Sequence, residues 1–120
     1  MSFLGRLFGG GVPPVDVATA RQLVDDGAFM LDIRTTREWN GGHAPFATHI
    51  QSADLSTHMN RVPKAKKVVV VCRSGSRSRS VARQLHAAGY DVVNLRGGLS
   101  AWQRTGQPVV DRSGRPGGVV

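Results

Sequence analysis

The sequence predicts an α/β layered fold with a central, mainly parallel sheet flanked by helices on both faces. Three observations carry this. Val68–Val71 is four β-branched residues in a row, the pattern of a strand buried on both of its faces. Other short apolar runs alternate with segments of helical period. Short glycine-containing loops join the two kinds, as in chains that pack helices onto a parallel sheet.

The elements follow in order. Gly9–Gly11 and Pro13–Pro14 read as a linker, so residues 1–14 form a flexible N-terminal segment and the domain spans residues 15–109. Within that segment Phe3, Leu4, Leu7 and Phe8 could share one face of a short helix, though a loosely packed terminus is the preferred reading. Asp16–Asp26 is helical, with Ala18, Ala20, Leu23 and Val24 mostly on one side and Gly27 as the stop. Phe29–Ile33 is a strand. Thr35 or Thr36 caps a short helix through Trp39, closed by Gly41–Gly42. His43–Ile50 is a loop entering a brief strand, and Leu55–Asn60 one more helical turn. After the valine strand, Val81, Ala82, Leu85 and Ala88 recur at helical spacing, with Gly89 as the cap. Asp91–Leu95 is the next strand, and Leu99–Arg104 the last helix. Residues 110–120 read as a flexible tail rich in Gly, Pro and Arg.

A chain of 120 residues is the size of one domain. With 40% hydrophobic and 20% charged residues it reads as globular rather than disordered. No apolar run approaches the roughly 18 residues of a membrane span. The N-terminus lacks a secretory pattern, which points to a cytoplasmic protein. The net charge of +8 attracts anions, whether nucleic acid, acidic lipid or small oxyanions. No RNA- or DNA-binding motif accompanies it, so nucleic acid ranks low. A single cysteine excludes an internal disulfide and an internal resolving thiol, so a modified Cys72 must be discharged by an outside molecule.

That cysteine lies directly after the valine strand, in Cys72-Arg73-Ser74-Gly75-Ser76-Arg77-Ser78, ahead of a helix. Parallel sheets place their sites at the carboxyl ends of strands. A short loop there aims backbone N–H groups inward, the helix start adds positive potential, and Arg73 and Arg77 add formal charge if they point inward. All three favour the thiolate, which is the nucleophile. An isolated cysteine is more often an inert buried one; the placement and flanking residues turn the balance toward a nucleophile.

With these residues in place the chain resembles the rhodanese family. The Cys72–Ser78 loop is of the type that opens the rhodanese active site. Phe29–Arg34 (FMLDIR), Glu38-Trp39 and Gly42-His43-Ala44-Pro45 are similar to the family's N-terminal signature, and Asn94–Trp102 (NLRGGLSAW) to its C-terminal one. The matches span about Val15 to Pro108. One departure is Phe46, where the family usually has Gly. The resemblance implies a sulfurtransferase without metal or organic cofactor. The Cys72 thiolate would take sulfane sulfur from thiosulfate or a persulfide donor. The loop Arg73, Ser74, Gly75, Ser76, Arg77 and Ser78 would hold the resulting persulfide. A thiol, cyanide, a thioredoxin or a sulfur-carrier protein would accept the sulfur.

Other residues read more plainly. Asp32 and Arg34 are possible supporting residues that either border the pocket or pair to fix the loops, with structure preferred. Glu38 reads as the partner of a nearby arginine, and His43 as a residue pinning a turn. His49, His58 and His86 have no metal-ligand spacing. Arg79 and Arg83, four residues apart, form either a basic rim or a solvated face. Lys64, Lys66 and Lys67 belong to the far end of the sheet. Two rival functions stand beside the first. A non-catalytic partner-binding module is one. A cysteine phosphatase or arsenate reductase is the other, but its loop has Cys, five residues, then Arg, and here Ser78 holds that place.

Overall fold

The computed structural model describes residues 11–120; the possible helix face of Phe3, Leu4, Leu7 and Phe8 lies outside them. Five strands, β1 (Pro14–Val15), β2 (Phe29–Asp32), β3 (Thr48–His49), β4 (Val68–Val71) and β5 (Val92–Leu95), form one sheet in the order β1-β5-β4-β2-β3. Every pairing in it is parallel. Among the described residues four helices pack on it: α1 (Val17–Asp25), α2 (Thr36–Gly41), α3 (Ser76–Ala87) and α4 (Gly98–Arg104). Two 3-10 turns, Ser52–Thr57 and Met59–Arg61, replace the single turn expected over Leu55–Asn60.

The valine run is the centre. Val68–Val71 pairs with β2 on one side and β5 on the other, and all four residues are fully buried. Strand side chains alternate between faces. Val68, Val70 and Cys72 accordingly join α3 (Val81, Ala82, Leu85) in one core, while Val69 and Val71 join α1 and α4 (Val17, Ala20, Leu99, Trp102) in the other. The two cores are the two faces of the predicted sheet.

Helix starts follow their capping chemistry. The Asp16 carboxylate accepts a hydrogen bond from Thr19 N at 2.8 Å and opens α1. At α2, Thr35 and Glu38 form a full capping box.

Two segments differ from the sequence expectation. Sequence alone leaves Pro14 in a linker; the structure pairs Pro14–Val15 with Asn94–Leu95. The pairing uses the carbonyls of Pro13 and Val15, which accept from Asn94 N and Arg96 N. A proline's missing N–H therefore costs nothing on this edge. Residues 110–120, read as a flexible tail, are hydrogen-bonded to the domain. Val110 and His43 exchange both backbone bonds, Arg112 N donates to Asn40 O, and Gly118 N donates to Gly41 O. Gly42 makes this possible, because a Cβ there would stand 2.3 Å from Gly118 O.

The strand order places β4 and β2 side by side at the centre, and the chain leaves them toward opposite edges, to β5 and to β3. In open parallel sheets the crevice beyond the carboxyl ends at such a reversal is where sites form. Cys72 directly follows the end of β4, and Arg34 lies two residues beyond the end of β2. The full burial of β4 makes its packing measurable. Val70→Ala should lower unfolding free energy by about 2 kcal/mol, read as a lower urea midpoint with unchanged slope; a loss below about 0.5 kcal/mol would contradict a closed core at this strand.

Candidate active site

β4 ends at Val71 and α3 begins at Ser76, so the loop between them has to reverse within four residues. Gly75, at φ 101°, makes the reversal in a region that side chains resist. The turn brings backbone N–H groups onto the cysteine sulfur. Gly75 N lies 3.1 Å and Ser78 N 3.3 Å from Cys72 Sγ, both donating to it. The sulfur thus sits at the first turn of α3, where the helix potential is positive.

Burial of Cys72 pushes its thiol pKa up. The Ser78 hydroxyl and the backbone N–H groups of Ser78, Gly75 and Ser74 outweigh it, and the net direction is down. The hydroxyl has a single proton, for which Gly75 O at 3.2 Å and Asn94 Oδ1 compete. The amides are therefore the constant part of the stabilisation.

The loop is clamped from behind. Asn94, on β5, faces the same side of the sheet as Val92 and Cys72, where a strand in a dry core would carry an apolar residue. It is buried, and its Nδ2 donates to Gly75 O at 3.1 Å while its Oδ1 accepts from Ser78 Oγ. The start of α4 completes the clamp: Leu99 N donates to Cys72 O at 2.8 Å and Ser100 N to Arg73 O at 3.0 Å. Gly98 permits the approach, since a Cβ on it would lie 2.4 Å from Cys72 O. These bonds occupy carbonyls that would otherwise point at the site.

Charged residues form two fixed pairs. Arg77 meets Glu38 through two parallel bonds of 2.8 Å, joining α3 to α2. The guanidinium holds the Glu38 carboxyl down to about 2, with smaller help from Thr35, and its own pKa is raised, chiefly by Glu38 and also by Cys72 and Asp32. Beneath them Asp32 and Arg34 form a forked pair with no exposed surface on either residue. Arg34 Nη2 also donates to Gly42 O at 2.7 Å, and Nη1 is buried without a partner among the described residues.

The rhodanese-like domain family model matches residues 16–105. The chain belongs to the rhodanese-like domain family. A sulfurtransferase of Allochromatium vinosum is 38% identical over 97 residues, covering 79% of this chain and 91% of that protein. Thiosulfate sulfurtransferase GlpE of Actinobacillus pleuropneumoniae is 31% identical over 86 residues, covering 71% and 80%. Among solved structures, a rhodanese-related protein of Thermoplasma volcanium superposes with a TM-score of 0.76 at 26% identity, covering 82% and 97%.

Within this rhodanese-like domain the backbone N–H groups of Gly75 and Ser78 donate to the Cys72 sulfur, and the Ser74 N–H helps to lower the thiol pKa. Ser76 starts α3, with its hydroxyl 3.3 Å from that of Ser74. Arg77 stands within electrostatic reach of Cys72 but is turned to Glu38, and Arg73 is exposed and makes no side-chain hydrogen bond among the described residues. Asp32 and Arg34 pair with each other. Glu38 has its arginine. His43 Nδ1 bonds Trp39 O at 2.7 Å, and its ring stacks on Trp39. Phe46 packs on Trp102 and under the Arg21 guanidinium, in the core on the sheet face opposite Cys72. Among the described residues no group of His, Cys, Asp and Glu could hold a metal. Sequence reasoning missed Asn94 as a loop residue; a polar residue at a position whose neighbours are apolar was the available signal.

Two outcomes test this geometry. Asn94→Leu keeps the branched heavy-atom shape and removes both side-chain bonds, so Cys72 alkylation by iodoacetamide should show a higher pH midpoint than in the wild type. Stability should fall by about 1 kcal/mol; an unmoved midpoint would reduce Asn94 to a packing residue. Glu38 has a depressed folded pKa, so its stabilisation is present above the ordinary value of 4.5 and is lost as pH falls toward about 2. Glu38→Gln should therefore be less stable near neutral pH by at most about 1 kcal/mol, because solvent screens the half-exposed Arg77. The gap to wild type should close across that acid window in urea titrations.

Proposed function

We propose that this protein is a sulfurtransferase that moves sulfane sulfur through a persulfide on Cys72, with thiosulfate or a small-molecule persulfide as donor. The convergence of backbone N–H groups on Cys72 Sγ supports the reading most directly. Those donors favour the thiolate, which attacks the outer sulfur of thiosulfate. The bond between that sulfur and the sulfonate sulfur breaks, and sulfite leaves with the electron pair. The outer sulfur stays on Cys72 as a persulfide anion. Its single negative charge, now on the outer sulfur, falls in the same cradle of donors, which need no reorganisation as the charge shifts. An acceptor nucleophile then attacks the terminal sulfur and releases the Cys72 thiolate.

Several features favour this over phosphoryl chemistry. The cradle closes on one sulfur atom, with Gly75 N and Ser78 N already at bonding distance. The position where a phosphatase loop needs its arginine is Ser78, which is buried. Arg77, one place earlier, is held by Glu38. Cys72 itself has no exposed surface, so a donor enters only when the exposed side chains of the loop give way. With one cysteine, discharge belongs to an external thiol or thiophile, for which a thioredoxin or a sulfur-carrier protein has the right chemistry.

Incubation with thiosulfate should add the mass of one sulfur atom to the intact chain. Cyanide should reverse the gain and yield thiocyanate, and Cys72→Ser should show neither. A chain that stays unloaded by thiosulfate and by glutathione persulfide alike would sink the sulfur-transfer reading and leave partner binding as the function.

A further inference from the structure

Arg79, Arg83 and Arg96 line one cleft of about 250 Å³, together with Ser74, Gly75 and Asn94. Cys72 does not line it. All three arginines are exposed, and among the described residues none of their guanidinium groups donates a hydrogen bond or forms an ion pair. Residues 1–10 contain no Asp or Glu that could supply a carboxylate. Asp16 feels Arg96 through space, but its carboxylate is engaged with Thr19 at the start of α1.

The arrangement is unfavourable by itself. Arg79 and Arg83 lie at i, i+4 on α3, a spacing at which like charges weaken a helix. Arg96, from the turn between β5 and α4, brings a third cation to the same cleft. Three arginines elsewhere have carboxylate partners, Arg21 with Asp25, Arg34 with Asp32 and Arg77 with Glu38, whereas no Asp or Glu lines this cleft. Local conflicts left standing in an otherwise consistent chain mark places where a ligand resolves them. Guanidinium forks match pairs of phosphate oxygens better than they match any neutral group. The cleft is below the size of sites that enclose drug-sized ligands, so it takes a small group.

We propose that this cleft is a second anion site, separate from the sulfur cradle, that binds a phosphate or diphosphate group. It shares Gly75 with the cradle, whose N–H reaches Cys72 Sγ, and Asn94, which holds the Gly75 carbonyl. A phosphate held here stands beside the sulfur loop, either as a free anion or as the anchoring end of a thiol acceptor.

The test is calorimetric titration of the full chain with sodium pyrophosphate at low ionic strength. One-to-one binding is expected. Arg83→Gln and Arg96→Gln should each weaken it by about tenfold or more, the worth of a charge-assisted bond. Lys66→Gln removes the same charge at the opposite end of β4 and should leave affinity within about twofold; Cys72→Ser should retain binding. Absent binding, equal losses in Lys66→Gln and the arginine variants, or loss in Cys72→Ser would each overturn the proposal, the second by reducing it to net charge and the third by placing the anion in the sulfur loop. These substitutions are at exposed positions apart from Cys72, and circular dichroism of each variant should match the wild-type spectrum. A kinetic arm separates the two sources. If Arg83→Gln slows persulfide discharge to 4′-phosphopantetheine more than to pantetheine, the phosphate arrives on the acceptor; if it slows both equally while pyrophosphate binding is lost, the site takes the free anion. That arm rests on the sulfur-transfer reading, whereas the calorimetry does not, so the two can fail separately.

Discussion

The structure turns on one requirement: a buried strand must stop and a helix must start within four residues, with a sulfur atom at the point of reversal. Two amides aim at Cys72 Sγ only while that reversal is held. Gly75 supplies the backbone conformation, Asn94 grips the Gly75 carbonyl, and the first turn of α4 takes the carbonyls of Cys72 and Arg73. Each of these comes from a different part of the chain, and each acts on backbone rather than on the sulfur. The cradle is thus a product of the parallel sheet, which sets β4 and β5 side by side and sends both chain exits the same way.

Polar groups are distributed unevenly along the sheet. At the carboxyl end of the strands lie the buried Asp32–Arg34 pair, the Asn94–Ser78 contact and the Arg77–Glu38 bridge. A buried ion pair seldom stabilises a fold relative to apolar packing, but one left half-formed is costly. Asp32 and Arg34 therefore act as a constraint on geometry: Arg34 ties the end of β2 to Gly42, and Gly42 lies against Gly118 in the C-terminal segment. The wall beside the site is built from residues far apart in sequence and is closed by the last part of the chain.

Legibility in the sequence followed the range of the interaction involved. The valine run, the cap at Thr35, and the helical period of α3 are local, and each element stands where local rules place it. The position of Cys72 after a buried strand was readable for the same reason. What could not be read is decided across the fold. Pro14–Val15 is a strand only because β5 offers an edge to it. The segment 110–120 looks like a tail by composition, yet the exchange of bonds between Val110 and His43 needs a partner 67 positions away. Arg73 and Arg77 look equivalent in sequence, and only the location of Glu38 on α2 separates them. Arg96 gave no local sign that it shares a cleft with Arg79 and Arg83.

The tetravaline strand has a second consequence, for the chain before it folds. Val68–Val71 is short, uncharged and β-branched throughout, the composition that drives self-assembly into cross-β stacks when exposed. In the native sheet it is covered on both faces and both edges. In a nascent or denatured chain it is flanked by Lys64, Lys66 and Lys67 on one side and by Arg73, Arg77 and Arg79 on the other. Charges placed on either side of a sticky run act as gatekeepers against intermolecular pairing. The lysines that look like ordinary surface charge at the far end of the folded sheet thus keep separate chains apart until the strand that carries Cys72 is enclosed.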